Sequence, residues 1–470
     1  MRKTKIVCTI GPSSDSVEML RKLIKRGMNV ARLNFSHGTY ESHQKTIDNF
    51  KKAREMVGLP CALLLDTKGP EIRIGSFGNE DGVTLYEGNT FSLTTEQIIG
   101  TDHLVSVSQS DLHTQIQKGQ RVLIDDGKIE LVVKYIKNRE IVCDVVVGGK
   151  LTDNKGVNLP NCHIEMEYLS EKDKADIRFG IKNDVDFVAA SFVRNVDDVI
   201  KIRRFLDING GKDIRIISKI ENLEGVENYD KILEVSGGIM VARGDMGVEV
   251  AYEKIPGLQK KFIRKCRCSG KMVITATQML ESMTENNMPT RAEITDVANA
   301  VFDGTSAVML SGETAIGKHP LLVVSTMDKI IRQAEKDDEE MKEFVYEVSE
   351  FDKTNAICDA ACTTAKDIEA RAIVAITLSG ETARLVSKFR PKEKIIAATP
   401  SIKTFNQLAL SWGVCPVLTS KQTSEEKLID DAIYRAKSEN ILKKGDVVVV
   451  TAGVPLDTPG TTNLLRIVTA

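Results

Sequence analysis

The stretch 214–226, "IRIISKIENLEGV", puts a lysine and a glutamate two positions apart at the end of an apolar run. Side chains alternate along a strand, so Lys219 and Glu221 share one face and Ile220 takes the other. A second carboxylate, Asp245, closes the next apolar run, "GGIMVARGD". Two carboxylates without histidine or thiolate are hard oxygen donors. They suit Mg²⁺ or Mn²⁺ and leave positions for water and substrate oxygens. An ammonium fixed beside such an ion would stabilise negative charge on a phosphoryl group or an enolate. A plain Lys–Glu ion pair is the alternative, but side chains at i and i+2 of a strand diverge little, and the pair would need a third partner. A further set, Asn34, Ser36, Asp66 and Thr67, joins one carboxylate to several neutral oxygens. It could hold a monovalent cation, and on spacing alone structural hydrogen bonding accounts for it at least as well.

Elements must bring these residues together. Short apolar runs occur at 5–10, 29–35, 61–67, 186–193, 214–221, 237–245, 272–279 and 306–313, with amphipathic segments between most of them. Val17, Leu20 and Leu23 recur at helical spacing after the first run, and Thr290-x-x-Glu293 reads as a capping box after the seventh. A series of β-then-α units argues for a (β/α)8 barrel, whose chemistry sits at the C-terminal ends of its strands. Those ends are polar here: Arg32, Asn34, Ser36 and His37; Asp66, Thr67 and Lys68; Lys219 and Glu221; Arg243 and Asp245; Thr277 and Gln278; Ser311 and Glu313.

One unit is interrupted. Residues 70–167 alternate in short strands rich in glycine and read as an inserted β domain, entered through Gly69-Pro70. Removing them from 1–343 leaves about 245 residues, close to the roughly 250 of a typical barrel. After the acidic "EKDDEEMKE" the texture changes again. Over 344–470 a helix near 354–369 leads to "RAIVAIT", "KIIAAT", "VCPVL" and "GDVVVVTA", the pattern of an open α/β domain.

Composition narrows the partners. A net charge of -2 gives no broad pull toward nucleic acid or an anionic membrane. The nine cysteines are scattered without zinc-site spacing, which fits buried thiols in a reducing cytosol. No run approaches the roughly 18 apolar residues of a membrane span. The basic N-terminus precedes too short an apolar run for a signal peptide. "GETAIGKH", 312–319, nearly matches a phosphate-binding loop, but His319 stands where the loop needs a hydroxyl, and a tight turn is expected.

At this point the sequence resembles the pyruvate kinase family over essentially its whole length. The matching stretches include "TKIVCTIGPSS", "MNVARLNFSHG", "LLDTKGPEIR", "NKGVNLP", "ISKIENLEGV", "IMVARGDMGVE", "TATQMLESM", "PTRAEITDVANAV" and "MLSGETA", in order and correctly separated. The resemblance implies a (β/α)8 TIM barrel with an inserted small β-barrel domain and a C-terminal open α/β domain. It implies phosphoryl transfer from phosphoenolpyruvate to ADP, giving pyruvate and ATP in the last step of glycolysis.

Carried over residue by residue, Glu221 and Asp245 are similar to the family's Mg²⁺ ligands. Lys219 resembles the residue that neutralises the phosphoryl group in flight, and Arg32 the one that grips substrate phosphate. Gly244, Asp245 and Thr277 resemble the set holding the carboxylate end of phosphoenolpyruvate or pyruvate. Thr277 with a bound water is the candidate proton donor to the enolate. Asn34, Phe35, Ser36, His37, Arg73 and Lys155 are similar to the nucleotide-contacting set, and Asn34, Ser36, Asp66 and Thr67 to the K⁺ ligands. Glu71 is the residue type that accompanies K⁺ dependence. Arg73 and Lys155 fall in the inserted domain, which is therefore expected to act as a lid. Thr377, Ser379, Gly380, Glu381 and Thr382, with the loop 457–463, resemble effector loops for a sugar phosphate or a nucleotide monophosphate. The family also implies a homotetramer; a cytoplasmic chain that ends at Ala470 without the extra C-terminal domain of some bacterial members is expected.

Overall fold

The computed structural model describes residues 2–341 and 353–470, apart from 79–80, 161, 163, 423 and 455–461. The boundary expected at 343/344 and most of the loop 457–463 lie outside the described residues. Eight parallel strands close into a barrel: β1 (Lys5–Thr9), β2 (Val30–Asn34), β3 (Ala62–Asp66), β4 (Phe187–Ala190), β5 (Arg215–Ile220), β6 (Gly238–Ala242), β7 (Met272–Ala276) and β8 (Ala307–Leu310). Each is a short buried run too apolar to face water on either side, as strands inside a ring of helices must be. Helices follow with side-chain caps at Ser16, Ser170 and Asn195. At Thr290 the expected capping box with Glu293 forms.

Two strand ends differ from the sequence reading. β6 stops at Ala242, and Arg243–Glu249 turns into a short helix that carries Gly244 and Asp245. β7 stops at Ala276 because Thr277 and Gln278 adopt left-handed φ values of 66° and 56°.

Between β3 and β4 the chain builds a seven-stranded sheet with its own apolar core, including Phe91, Leu93, Leu131 and Ile141. Its edge strands are Ile72–Arg73 and Leu104–Ser106. They meet at an Ile74–Val107 bridge, with Gly75 N–H donating to Ser106 O and Ser108 N–H to Arg73 O, each at 2.8 Å. The sheet thus curls until its edges join, which removes the open edges a small sheet would otherwise expose.

The C-terminal sheet runs β11-β10-β9-β12-β13, from β9 (Ala372–Ile376), β10 (Lys394–Thr399), β11 (Val414–Leu418), β12 (Val447–Gly453) and β13 (Thr462–Thr469). The first four are parallel, as expected. β13 adds an antiparallel edge that the sequence did not announce, because its half-exposed residues form no apolar run. This sheet sits under the barrel's N-terminal end, where Lys5 Nζ donates to Val414 O at 2.8 Å and Gly413 N–H to Lys3 O at 2.9 Å. Leu410, fully buried, joins Val7, Leu64, Phe187, Ile217 and Met309 in the barrel's interior core.

Candidate active site

At the C-terminal mouth of the barrel Lys219 is 9% exposed, and three acceptors hold its ammonium. They are Glu221 Oε1 at 2.9 Å, Asp66 Oδ1 at 3.2 Å and Ser191 Oγ at 2.8 Å. An ammonium has three N–H donors, so all are engaged. Asp66 is the third partner that the strand geometry required. Its other oxygen takes Arg32 Nε at 2.6 Å, and Arg32 Nη1 donates to Thr9 Oγ1 at 2.8 Å.

Burial opposes the Lys219 charge, but Asp66 and Glu221 outweigh it and raise its pKa. Burial also works against Asp66, where Lys219 and Arg32 win and hold the carboxyl below its ordinary value. Glu221 goes the other way. Burial pushes it up to about 7, the pull of Lys219 notwithstanding, and the nearby Asp245 charge adds to the rise. Its second oxygen accepts the Phe192 N–H at 2.6 Å, which a left-handed φ of 52° at Phe192 presents.

Asp245, in the first turn of its helix, has a carboxylate with no hydrogen bond or ion pair among the described residues. Three carboxylates (Asp66, Glu221, Asp245) thus face two cations (Lys219, Arg32), leaving a surplus negative charge between Glu221 and Asp245. Hard oxygens with that surplus fit a divalent ion. No group of three or more His, Cys, Asp or Glu side chains suited to a metal occurs among the described residues, so such an ion would complete its shell with water and substrate.

The monovalent set is partly committed. Asn34 and Asp66 are register partners across β2 and β3, and Asn34 Oδ1 accepts the Ser36 N–H at 3.1 Å. Asp66 uses two of about four lone-pair directions, on Arg32 and Lys219, and Ser191 Oγ lies 3.1 Å from the oxygen that Lys219 takes. Thr67 is engaged through its hydroxyl, which donates to Ala189 O at 3.2 Å, and through its carbonyl, which accepts from Ser191 Oγ at 2.6 Å.

Thr277 Oγ1 accepts the Gly244 N–H at 2.9 Å and donates to Ala276 O at 2.6 Å. That spends its only proton, so in this arrangement the hydroxyl positions Gly244 and has no proton left for an enolate. Arg243 clamps the same turn through Asp296 at 2.7 Å and Thr277 O at 2.6 Å.

Comparison with known proteins places the chain in a family. Residues 1–324 match the family model "Pyruvate kinase, barrel domain", and residues 355–468 match "Pyruvate kinase, alpha/beta domain". A pyruvate kinase of Clostridium acetobutylicum is 48% identical over 99% of this chain and 99% of its own. Pyruvate kinases of Staphylococcus saprophyticus and Staphylococcus aureus are 48% identical over 99% of this chain and 80% of theirs. The chain belongs to the pyruvate kinase family.

The remaining residues that the pyruvate kinase resemblance singled out divide into two groups. Ser36, His37, Arg73 and Lys155, with Lys68, line a cleft of about 540 Å³ between barrel and inserted sheet. Phe35 does not join them. Its ring is buried, stacked on His43 at 4.0 Å; its N–H donates to Asp66 O at 3.0 Å and its carbonyl accepts from Lys172 at 2.9 Å. Arg73 is held by Glu71 through Nε and Nη2, each at 2.8 Å, and Lys155 by Asp125 at 2.9 Å. Glu313, counted among the polar strand ends, is fully buried and caps the Leu280 and Ser311 N–H groups. "GETAIGKH" forms a four-residue helix and a turn.

In the terminal domain, Thr377 Oγ1 accepts the Gly380 N–H at 3.0 Å, and Gly380 has φ 81°. Thr382 pairs with Thr462 at 2.8 Å, and Glu381 with Arg384 at 2.8 Å. Ser379 O accepts from Arg384 and, across from the barrel, from Arg215, each at 3.1 Å. Sequence reading missed Ser191 and Phe192. The rule that pointed to the other strand ends also covers the end of β4, where a serine follows "VAA".

Proposed function

We propose that the chain transfers the phosphoryl group of phosphoenolpyruvate to ADP, giving pyruvate and ATP, with Mg²⁺ or Mn²⁺ and K⁺ as cofactors. The observation that carries this reading is the buried Lys219 ammonium held between Asp66 and Glu221, with the uncommitted Asp245 beside them. Arg32 and Lys219 meet the substrate phosphate, and the Gly244–Asp245 turn with Thr277 flanks its carboxylate end. As the bond from phosphorus to the enol oxygen breaks, a bond forms to a β-phosphate oxygen of ADP, and the electron pair stays on the enol oxygen. Lys219 stabilises the charge spread over the moving phosphoryl oxygens, a mainly positional and electrostatic task. A divalent ion on Glu221 and Asp245 would supply Lewis-acid polarisation of substrate oxygens. The enolate then takes a proton at its methylene carbon from water. Thr277 orients that step through Gly244, since its own proton is committed to Ala276.

Asn34, Ser36, Thr67 and the uncommitted lone pairs of Asp66 would supply oxygens for K⁺. The inserted sheet serves as a lid, bringing Arg73 and Lys155 to the polyphosphate and excluding water, the competing acceptor. The loop Thr377–Thr382 takes a phosphorylated effector, a sugar phosphate or a nucleotide monophosphate, in a cytoplasmic homotetramer. The test is pyruvate formation titrated with phosphoenolpyruvate, with and without ADP and across a panel of phosphorylated metabolites. Turnover that ignores ADP would overturn the reaction, and unchanged saturation curves across the panel would overturn the regulation.

A further inference from the structure

Ser191 directly follows β4, and each of its polar atoms is spent. Its N–H donates to Thr67 Oγ1 at 3.2 Å. Its hydroxyl has one proton and two acceptors in reach, Thr67 O at 2.6 Å and Asp66 Oδ1 at 3.1 Å. Donation to the nearer carbonyl leaves an oxygen lone pair for Lys219 Nζ at 2.8 Å. Ser191 is thus the neutral member of the three acceptors around the ammonium.

Both passages of the chain into the inserted sheet meet this residue. On the way in, Gly69 adopts φ 71° and packs so closely that a Cβ there would lie 2.9 Å from Ser191 Cβ and from Ser191 O. On the way out, buried Tyr168 donates its hydroxyl to that same Ser191 O at 2.9 Å. The next residue, Phe192, takes a backbone conformation that bulky side chains avoid, and its N–H then anchors Glu221. Such an outlier points from geometry toward function. A serine that only filled space in the core would need neither an ammonium nor contact with two chain passages.

We propose that Ser191 is a positioning residue that registers the Lys219 ammonium against the two passages into the inserted sheet, so that closing the sheet over substrate aligns the cation. This rests on the phosphoryl-transfer reading above. A shift at Gly69 or Tyr168 reaches Lys219 through one residue, without crossing the barrel.

The experiment compares Ser191→Ala, Tyr168→Phe and Lys219→Met in the full chain. It measures turnover with phosphoenolpyruvate and ADP, melting temperature, and hydrogen exchange of 66–74 and 164–170 before and after adding phosphoenolpyruvate with Mg²⁺. Ser191→Ala is expected to lower kcat about 10–100-fold, the scale of a misplaced catalytic group. Its phosphoenolpyruvate KM should stay near wild type, its melting temperature should barely move, and ligand-induced protection of the two passages should weaken. Tyr168→Phe, which leaves the Ser191 hydroxyl in place, should weaken the same protection and lower kcat by a smaller factor, again without raising KM. If Ser191→Ala does not fold, Tyr168→Phe decides alone, and wild-type kcat and protection there refute the proposal. So does a Ser191→Ala enzyme with wild-type kcat, or one whose kcat and KM change together with a fall in melting temperature. Inactive Lys219→Met beside an unaffected Ser191→Ala would end the positioning role and leave phosphoryl transfer standing, whereas active Lys219→Met would end the reading beneath both.

Discussion

Glu221 makes the stability of the metal-free protein depend on pH in a direction opposite to an ordinary paired carboxylate. Its folded-state pKa is raised, from 4.5 to about 7, by burial and by Asp245 against the pull of Lys219. Between those values the folded state binds a proton that the unfolded chain has released, so stability falls as pH rises from about 4.5 to about 7 and then levels. The rise of about 2.5 units corresponds to a loss of about 3 kcal/mol across the window, at 1.36 kcal/mol per unit. Buried Asp186, raised to about 6, slopes the same way, so the Glu221 share is the difference between wild type and Glu221→Gln. Denaturant unfolding at pH 5, 6, 7 and 8 with a chelator gives that difference. A divalent ion needs the deprotonated carboxylate, so its apparent affinity should fall about tenfold for each unit below pH 7, with uptake releasing a proton. Calorimetric titration with Mn²⁺ in two buffers of different ionisation enthalpy reads the proton directly. Equal slopes for wild type and Glu221→Gln, together with a Mn²⁺ affinity flat from pH 5.5 to 8, would refute the reasoning.

Lys219→Met removes one of two cations facing three carboxylates and should lower kcat about 10³-fold, or about 4 kcal/mol, with the fold retained by circular dichroism; turnover within tenfold of wild type counts against it. Glu71→Lys replaces the carboxylate that grips Arg73 with a cation, so activity should persist when K⁺ is exchanged for a large organic cation, and equal K⁺ dependence in variant and wild type would exclude the monovalent site. Thr377→Ala breaks the hydrogen bond that shapes Gly380 and should abolish metabolite activation while sparing turnover at saturating phosphoenolpyruvate; activation that survives places the effector elsewhere.

The barrel was legible because eight strands buried on both faces leave unbroken apolar runs, and their polar ends stand out against them. Lys219, Glu221 and Asp66 were readable one by one. What their types could not show was how they share partners. That Asp66 bonds both cations depends on which strands become neighbours in space, and that Thr277 has no free proton depends on two left-handed residues after β7. Phe35 illustrates the opposite limit. A motif match brought its neighbours Ser36 and His37 to the cleft, while the alternation of the chain turned its ring into the core. Edge strand β13, half wet and mixed in composition, lacked any pattern to announce it.

Leu410 has a mechanical consequence. Because this side chain completes the inner packing of the barrel, the terminal sheet is a foundation and not an appendage. A fragment cut before the terminal sheet would leave a hole at the base of the cylinder, wetting apolar surface that the intact chain keeps dry. It also means that the sheet cannot tilt beneath the cylinder without dragging on that leucine. A disturbance starting at Thr377–Thr382 would push on solid footing directly under the strands, one of which, β5, runs from Arg215 at its base to Lys219 at its rim.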